Sequence, residues 1–282
     1  MLNLTLRQKQ LLELLSINCR FSNKDIARSL HCSQDAVEYQ INNLINIKKI
    51  ASFFVQFDYY LLGYRQYHLW IGLSKLSVNY EELSRIKEII SINESYGKYD
   101  LQIVVLVKDK ISLERTITKI KGTIDIKDIA IAEYYDSIRP FTNIIPPISV
   151  QTKIPKNKKN KVYTLNSKEF IIYPPKEIYK LDKVDKKIIP FLIKNPRIKF
   201  SELSDKSGVN QETLRYRLHS YIDKRLIINF GLLHDFQKYG LYTTYLLVNL
   251  KEVNQELKDY LINNTSIFYA AHLIGAYTGI IY

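Results

Sequence analysis

Two cysteines in 282 residues, Cys19 and Cys32, are too few for a disulfide framework and read as reduced packing thiols. Cys19, His31 and Cys32 are the one grouping of metal-ligating types, and no fourth ligand stands at zinc-like spacing. No metal and no cofactor is expected. No apolar run approaches the roughly 20 residues of a membrane span. The opening MLNLTLRQKQ also lacks the charged-then-apolar layout of a secretory signal. These absences point to a cytoplasmic protein without a membrane partner. Nor do the residues form a compact catalytic signature, so the expectation is a protein that is not an enzyme.

What is present is base and repetition. The net charge is +13, and the 46% apolar content suits a chain with the core of two domains. Sliding the sequence by 177 positions aligns residues 4–73 with 181–250 without a gap, and 14 of these 70 positions are identical. Among them are Leu15/Leu192, Arg20/Arg197, Gln34/Gln211, Tyr39/Tyr216, Phe53/Phe230, Asp58/Asp235 and Gly63/Gly240. Other pairs exchange one aliphatic for another, as in Ile26/Leu203 and Val37/Leu214, which keeps a core while the surface drifts. A period this long is a tandem duplication of a large unit, not a solenoid.

The unit begins with helices. Leu11, Leu12 and Leu15 form one apolar stripe. Ser22 with Asp25 starts a second helix, and Ser33 caps a third whose inner stripe is Val37, Ile41 and Leu44. In the second copy Gly208 suits a left-handed stop and Asn210 the next cap. Two short helices across a tight turn make a helix-turn-helix, and a preceding helix and the strand-like IASFFVQFD make it a winged one. After Gly63 the pattern reads strand 67–74, helix 79–90, two strands within 91–107 around Gly97, helix 111–122 and strand 128–136. That order, βαββαβ, is the ferredoxin-like plan. Residues 139–180, with six of the eight prolines and KNKKNK, read as a linker with one short strand at KVYTL. The second copy offers a strand at 242–250, then a helix and SIFYAAHLIGAYTGIIY, so its sheet is expected to be incomplete at Tyr282.

The expected fold class is therefore α+β: two winged helix-turn-helix domains, each followed by a ferredoxin-like βαββαβ domain. The expected boundaries are 1–62 and 63–138 for the first copy, 139–180 for the linker, and 181–240 and 241–282 for the second copy.

This layout resembles the leucine-responsive regulatory protein/AsnC family of bacterial and archaeal transcription regulators. The segments that carry the resemblance are RFSNKDIARSLHCSQDAVEYQINNL and RIKFSELSDKSGVNQETLRYRLHSYIDKRLI, together with GKYD at 97–100. The family usually places an arginine before the aliphatic residue of its third helix; Arg217 keeps it and Gln40 does not. In the second glycine turn, GAYT, Thr278 stands where Asp100 stands in the first. The resemblance implies sequence-specific binding of double-stranded DNA. It also implies sheets that pair, here as an intramolecular pseudo-dimer with further homo-oligomers, and an amino-acid effector near the glycine turn. Tyr99 and Asp100 are the candidate effector contacts; their plainer role is to shape the turn.

Charge by segment agrees with DNA. Residues 1–62 carry +2, 63–138 are neutral, the linker carries +7, 181–240 carry +5 and 241–282 carry −1. Lys and Arg contacts to phosphates supply most sequence-independent affinity, so the basic excess favours the second head. Its candidate DNA contacts are Gln211, Thr213, Arg215, Tyr216, Arg217 and His219, with Arg215 expected on a base and Arg217 on a phosphate. In the first head they are Gln34 and Tyr39, beside Asp35, Glu38 and Asn42; Asp35 and Glu38 are unfavourable near phosphates. Tyr39 and Tyr216 have packing against the first helix as their other reading. As coil, the 42-residue linker spans roughly 35 Å, about the spacing of successive half-sites.

The alternative is an enzyme. Siroheme decarboxylases of haem biosynthesis resemble the same family, and Arg65, His68, Trp70, His234 and His272 are the residues such a reading would use. A third reading is a scaffold whose heads no longer bind DNA.

Overall fold

A computed structural model describes residues 4–139, 152, 155, 177–264 and 266–282. The strand expected at KVYTL and most of the 139–180 linker lie outside the described residues.

The first head is α1 (Leu6–Ile17), α2 (Asn23–Leu30) and α3 (Gln34–Asn46), followed by β1 (Ile50–Phe57). Its helices start where side-chain oxygens meet otherwise unpaired N–H groups. Thr5 and Gln8 form a reciprocal box at α1, Ser22 accepts from Asp25 N, and Ser33 accepts from Ala36 N. Val37, Ile41 and Leu44 are buried as their spacing requires, on a core with Leu11, Leu12, Leu15 and Ile26.

After the first head come β2 (Arg65–Leu73), α4 (Tyr80–Ser84), β3 (Ile89–Glu94), β4 (Leu101–Val107), α5 (Lys110–Lys121) and β5 (Ile126–Arg139). The helix expected over 79–90 is only five residues long. The run Ile89-Ile90-Ser91-Ile92 leaves it for β3, where Ile89 pairs with Val105 and Ile92 with Ile103 on β4.

The second head repeats the first as α6 (Lys183–Lys194), α7 (Phe200–Ser207) and α8 (Gln211–Asp223), then β6 (Ile227–His234). Gly208 ends α7 at φ 67° and Asn210 caps α8 through Thr213 N. His31 takes the same left-handed turn position in the first head at φ 50°. Gly63 and Gly240, both at positive φ, turn the chain from each head toward its sheet. The rest is β7 (Leu246–Val248), α9 (Gln255–Asn263), β8 (Ala270–Gly275) and β9 (Gly279–Ile281). Instead of spanning 242–250, β7 has three residues, because β9, its one partner in the sheet order, is itself three residues long.

Two sheets join the copies. β1 and β6 pair antiparallel with Phe54 opposite Gly231, Phe53 opposite Leu232 and Val55 opposite Phe230. Phe54 and Gly231 are repeat-equivalent, so a pseudo-two-fold axis passes between them. The second sheet has seven strands in the order β3-β4-β2-β5-β8-β9-β7. Its first four strands are the ferredoxin-like arrangement, and β5 carries it into the second copy by pairing with β8.

The cores are exchanged as well. Leu232 and Tyr239 are part of the first head's core, while Cys19 and Phe57 are part of the second's. No described helix is long and apolar enough to cross a membrane.

Candidate nucleic-acid interface

Helix α8 buries Leu214 and Tyr221 and leaves Gln211, Glu212, Arg215, Tyr216 and His219 exposed, with Thr213 half-buried. Tyr216 is 69% exposed and Tyr39, its counterpart on α3, 67%, so neither ring packs against the first helix of its head. Arg215 lies on the Phe200 ring, its guanidinium carbon 4.7 Å from the centroid, and donates to Gln211 Oε1 at 3.4 Å. These contacts hold a charged head at the surface without a carboxylate on it. The matching face of α3 presents Gln34, Asp35, Glu38, Tyr39 and Asn42, all exposed.

Arg217 is placed differently from the expected phosphate contact. It turns inward, with Nη2 2.6 Å from Asp182 Oδ2 and Nη1 3.1 Å from Asp185 Oδ1. Asp185 is 1% exposed and also accepts from Tyr221 Oη at 2.7 Å. Burial works against charge on Arg217, but the Asp182 hydrogen bond and the fields of Asp185 and Asp182 outweigh it and raise its pKa. Asp182 is held below the usual carboxylate range, first by the backbone N–H of Asp185 and, against some burial, by Arg217. The first head makes the same tie without charge: Gln8 Nε2 donates to Gln40 Oε1 at 3.1 Å. Gln8 and Gln40 are the repeat partners of Asp185 and Arg217. The missing arginine at position 40 is thus one side of a paired exchange that fastens the third helix to the first.

A second pair of arginines links the heads. Arg20 Nη1 donates to Pro196 O at 2.5 Å and Nη2 to Ile198 O at 3.2 Å. Arg197 donates to Cys19 O and, at 3.0 Å, to Asn23 Oδ1. Each also lies near an aromatic ring of the other head: Arg20 over Phe200 and Phe230, Arg197 over Phe53. Burial lowers the Arg20 pKa to about 10 and raises that of the Cys19 thiol to about 12. Neither arginine is available to phosphates. Among the described residues no group of three or more His, Cys, Asp or Glu side chains is placed to hold a metal ion.

The two glycine turns meet across the sheet. Tyr99 Oη and Tyr277 Oη are 3.1 Å apart, and Lys98 Nζ lies near both rings. Asp100 Oδ2 accepts from Leu73 N at 2.7 Å, and Thr278 Oγ1 accepts from Leu250 N at 2.6 Å. Leu73 and Leu250 are again repeat partners, so the aspartate and the threonine do the same job, one at the last residue of β2 and the other two residues past β7. Sequence reading missed this. The 177-residue slide does not pair these two acceptors, since Asp100 and Thr278 are 178 positions apart; the matching glycine-x-tyrosine turns GKYD and GAYT were the available signal.

Of the residues of the enzyme reading, Arg65, His68 and Trp70 share β2, while His234 ends β6 and His272 is on β8. His68 is buried, stacked on Trp70 at 5.8 Å and contacted by Gln66 and Gln102, and burial lowers its pKa to about 4. Arg65 pairs with Glu133 at 2.6 Å. His234 lies in the head region against Ser16 and Tyr239, and His272 is 3.6 Å from Asp136.

Residues 181–220 match the AsnC-type helix-turn-helix domain. The second head is an AsnC-type helix-turn-helix domain. The chain as a whole is α+β, with two helix-turn-helix heads and a sheet whose first four strands are ferredoxin-like. Over nearly the whole length it is similar in fold to the crystal structure of the siroheme decarboxylase NirDL, at 12% identity, covering 98% of this chain and 80% of that one with a TM-score of 0.56. AsnC from E. coli matches at 18% identity over 46% of this chain and 91% of its own, with a TM-score of 0.40. No curated protein sequence matches the chain.

Proposed function

We propose that the chain is a sequence-specific regulator of transcription that binds double-stranded DNA, with the second head supplying most of the affinity. The observation that carries this reading is the AsnC-type domain at 181–220, whose third helix exposes Gln211, Arg215, Tyr216 and His219 on one face. A helix of this kind reads the major groove with outward side chains near its N-terminus. Arg215 is the base-reading candidate, and Gln211, Thr213 and His219 flank it; Gln34 and Tyr39 are the corresponding contacts of the first head. Arg217 is assigned to holding α8 on α6 and not to phosphate. The test is a salt-titrated binding assay with the full chain. Arg215→Ala should cost about 1–3 kcal/mol on the preferred sequence and much less on random duplex. Equal loss on both would reduce Arg215 to a phosphate contact, and no DNA binding at low salt would overturn the proposal.

An effector at the paired glycine turns is part of the same proposal. Tyr99 and Tyr277 meet there, and an amino acid that altered DNA affinity in the wild type but not in Tyr99→Phe would support it.

One observation favours a second reading, siroheme decarboxylation: the fold similarity to NirDL extends over 98% of the chain. Anaerobic addition of siroheme separates the two. A changed absorption spectrum and loss of carbon dioxide would favour the enzyme, and an unchanged spectrum the regulator.

A further inference from the structure

We propose that Glu38 and Arg215, which occupy one position on the two DNA-facing helices, read the same base pair in opposite orientations. The preferred DNA would then be an inverted repeat broken at that single pair. The inference rests on the reading of the chain as a DNA-binding regulator and specifies its target.

The heads are related by a pseudo-two-fold axis. The β1–β6 ladder is centred on the equivalent residues Phe54 and Gly231, and Arg20 and Arg197 make reciprocal contacts across it. A protein with such an axis presents its two helices to two half-sites related in the same way, so equivalent side chains meet equivalent base pairs. The helices begin at the same point, capped by Ser33 and by Asn210. Their flanking outward residues are the same, Gln34 and Gln211 on one side and Tyr39 and Tyr216 on the other, with the tyrosines equally exposed.

Between these matched residues the chemistry inverts. Glu38 and Arg215 are both exposed. A guanidinium carries only donors and an ionised carboxylate only acceptors, so the two cannot satisfy one base edge. Arg215 matches the O6 and N7 acceptors of guanine; Glu38 matches the N4 amino donor of cytosine. Where the strand beneath α8 has guanine, the corresponding strand beneath α3 has cytosine. In a perfect inverted repeat Glu38 would face two acceptors, which is repulsive. Phe200 and Gln211 already orient the Arg215 guanidinium for a fixed contact.

The test is selection of bound duplexes from a randomised pool by the full chain, by Glu38→Arg and by Glu38→Gln, with thermal melting to show that the exposed substitutions leave the fold intact. The wild type should enrich inverted repeats with guanine in one arm and cytosine at the mirrored place in the other. Glu38→Arg should enrich the perfect repeat, moving the preference between the two defined duplexes by about tenfold or more. Glu38→Gln should lose the cytosine preference while the guanine in the other arm remains. A perfect repeat enriched by the wild type, or a broken pair still preferred by Glu38→Arg, would overturn the inference and leave the regulator reading standing. Absence of any enrichment by the wild type would overturn both.

Discussion

Arg20 and Arg197 each donate to the backbone carbonyl of the residue that precedes the other, so a reciprocal pair of hydrogen bonds adds to the β1–β6 join between the heads. Both side chains are in the interface, and Pro196 and Cys19, whose carbonyls they bind, are buried. Arg20→Gln should destabilise the chain by about 2 kcal/mol, read as a lower urea midpoint. A surface-like change below about 0.5 kcal/mol would mean that the contact is ornamental.

Exchange of core residues makes a stronger statement. With Leu232 and Tyr239 in the first head, and Cys19 and Phe57 in the second, residues 1–138 and 139–282 expressed apart should each lack a cooperative melt. Mixed or co-expressed, they should regain one. Sharp, independent unfolding of either half would show that the heads do not need each other.

The Asp185–Arg217 tie can be rewritten as the first head writes it. Arg217→Gln leaves Asp185 buried without its cation and should cost about 2–3 kcal/mol. Adding Asp185→Gln should recover most of the loss, because Gln8 and Gln40 already make that pair and Gln8 serves the same cap. The double-mutant cycle should therefore show coupling above about 1 kcal/mol; additive losses would contradict the equivalence.

His68 predicts acid sensitivity with a defined sign. Its folded pKa lies near 4, below the unfolded value of 6.5, because burial disfavours the charged ring. The neutral ring's contribution is fully present above pH 6.5 and is lost as pH falls toward the folded pKa, up to about 3 kcal/mol between pH 7 and 4. In urea titrations His68→Asn should be less stable at pH 7 and show a flatter fall toward pH 4. Parallel pH profiles for the two proteins would assign the acid sensitivity elsewhere.

Asp100 accepts from the last residue of β2 and Thr278 from a residue just past β7, so the substitution that matters is loss of the acceptor. Asp100→Ala should cost about 1–2 kcal/mol, and Asp100→Thr clearly less, since threonine serves at the second turn. If Asp100→Thr were as damaging as Asp100→Ala, the carboxylate would have a role beyond the Leu73 N–H.

The sequence by itself determined the local elements. Helical periodicity and caps act over three or four residues, so Val37, Ile41 and Leu44 marked a buried face and Ser33 and Asn210 marked helix starts without reference to anything distant. The 177-residue offset also exposed the repetition. Where a local propensity met a competing neighbour, the prediction slipped: α4 stops after five residues because the following isoleucines gain more by pairing with β4. Only the tertiary structure decided what the polar side chains face. Arg217 reads as a phosphate contact on its own helix, and the carboxylates that claim it are Asp185 in the first turn of α6 and Asp182 at its N-cap, 32 and 35 positions earlier. Asp100 and Thr278 read as a difference between the two glycine turns, and each accepts from the N–H of one of the repeat partners Leu73 and Leu250. The join between β1 and β6, and the meeting of Tyr99 with Tyr277, depend on two copies packing about an axis that no single segment encodes. Periodicity specifies which face is buried; the partner on that face is fixed by geometry assembled from the whole chain.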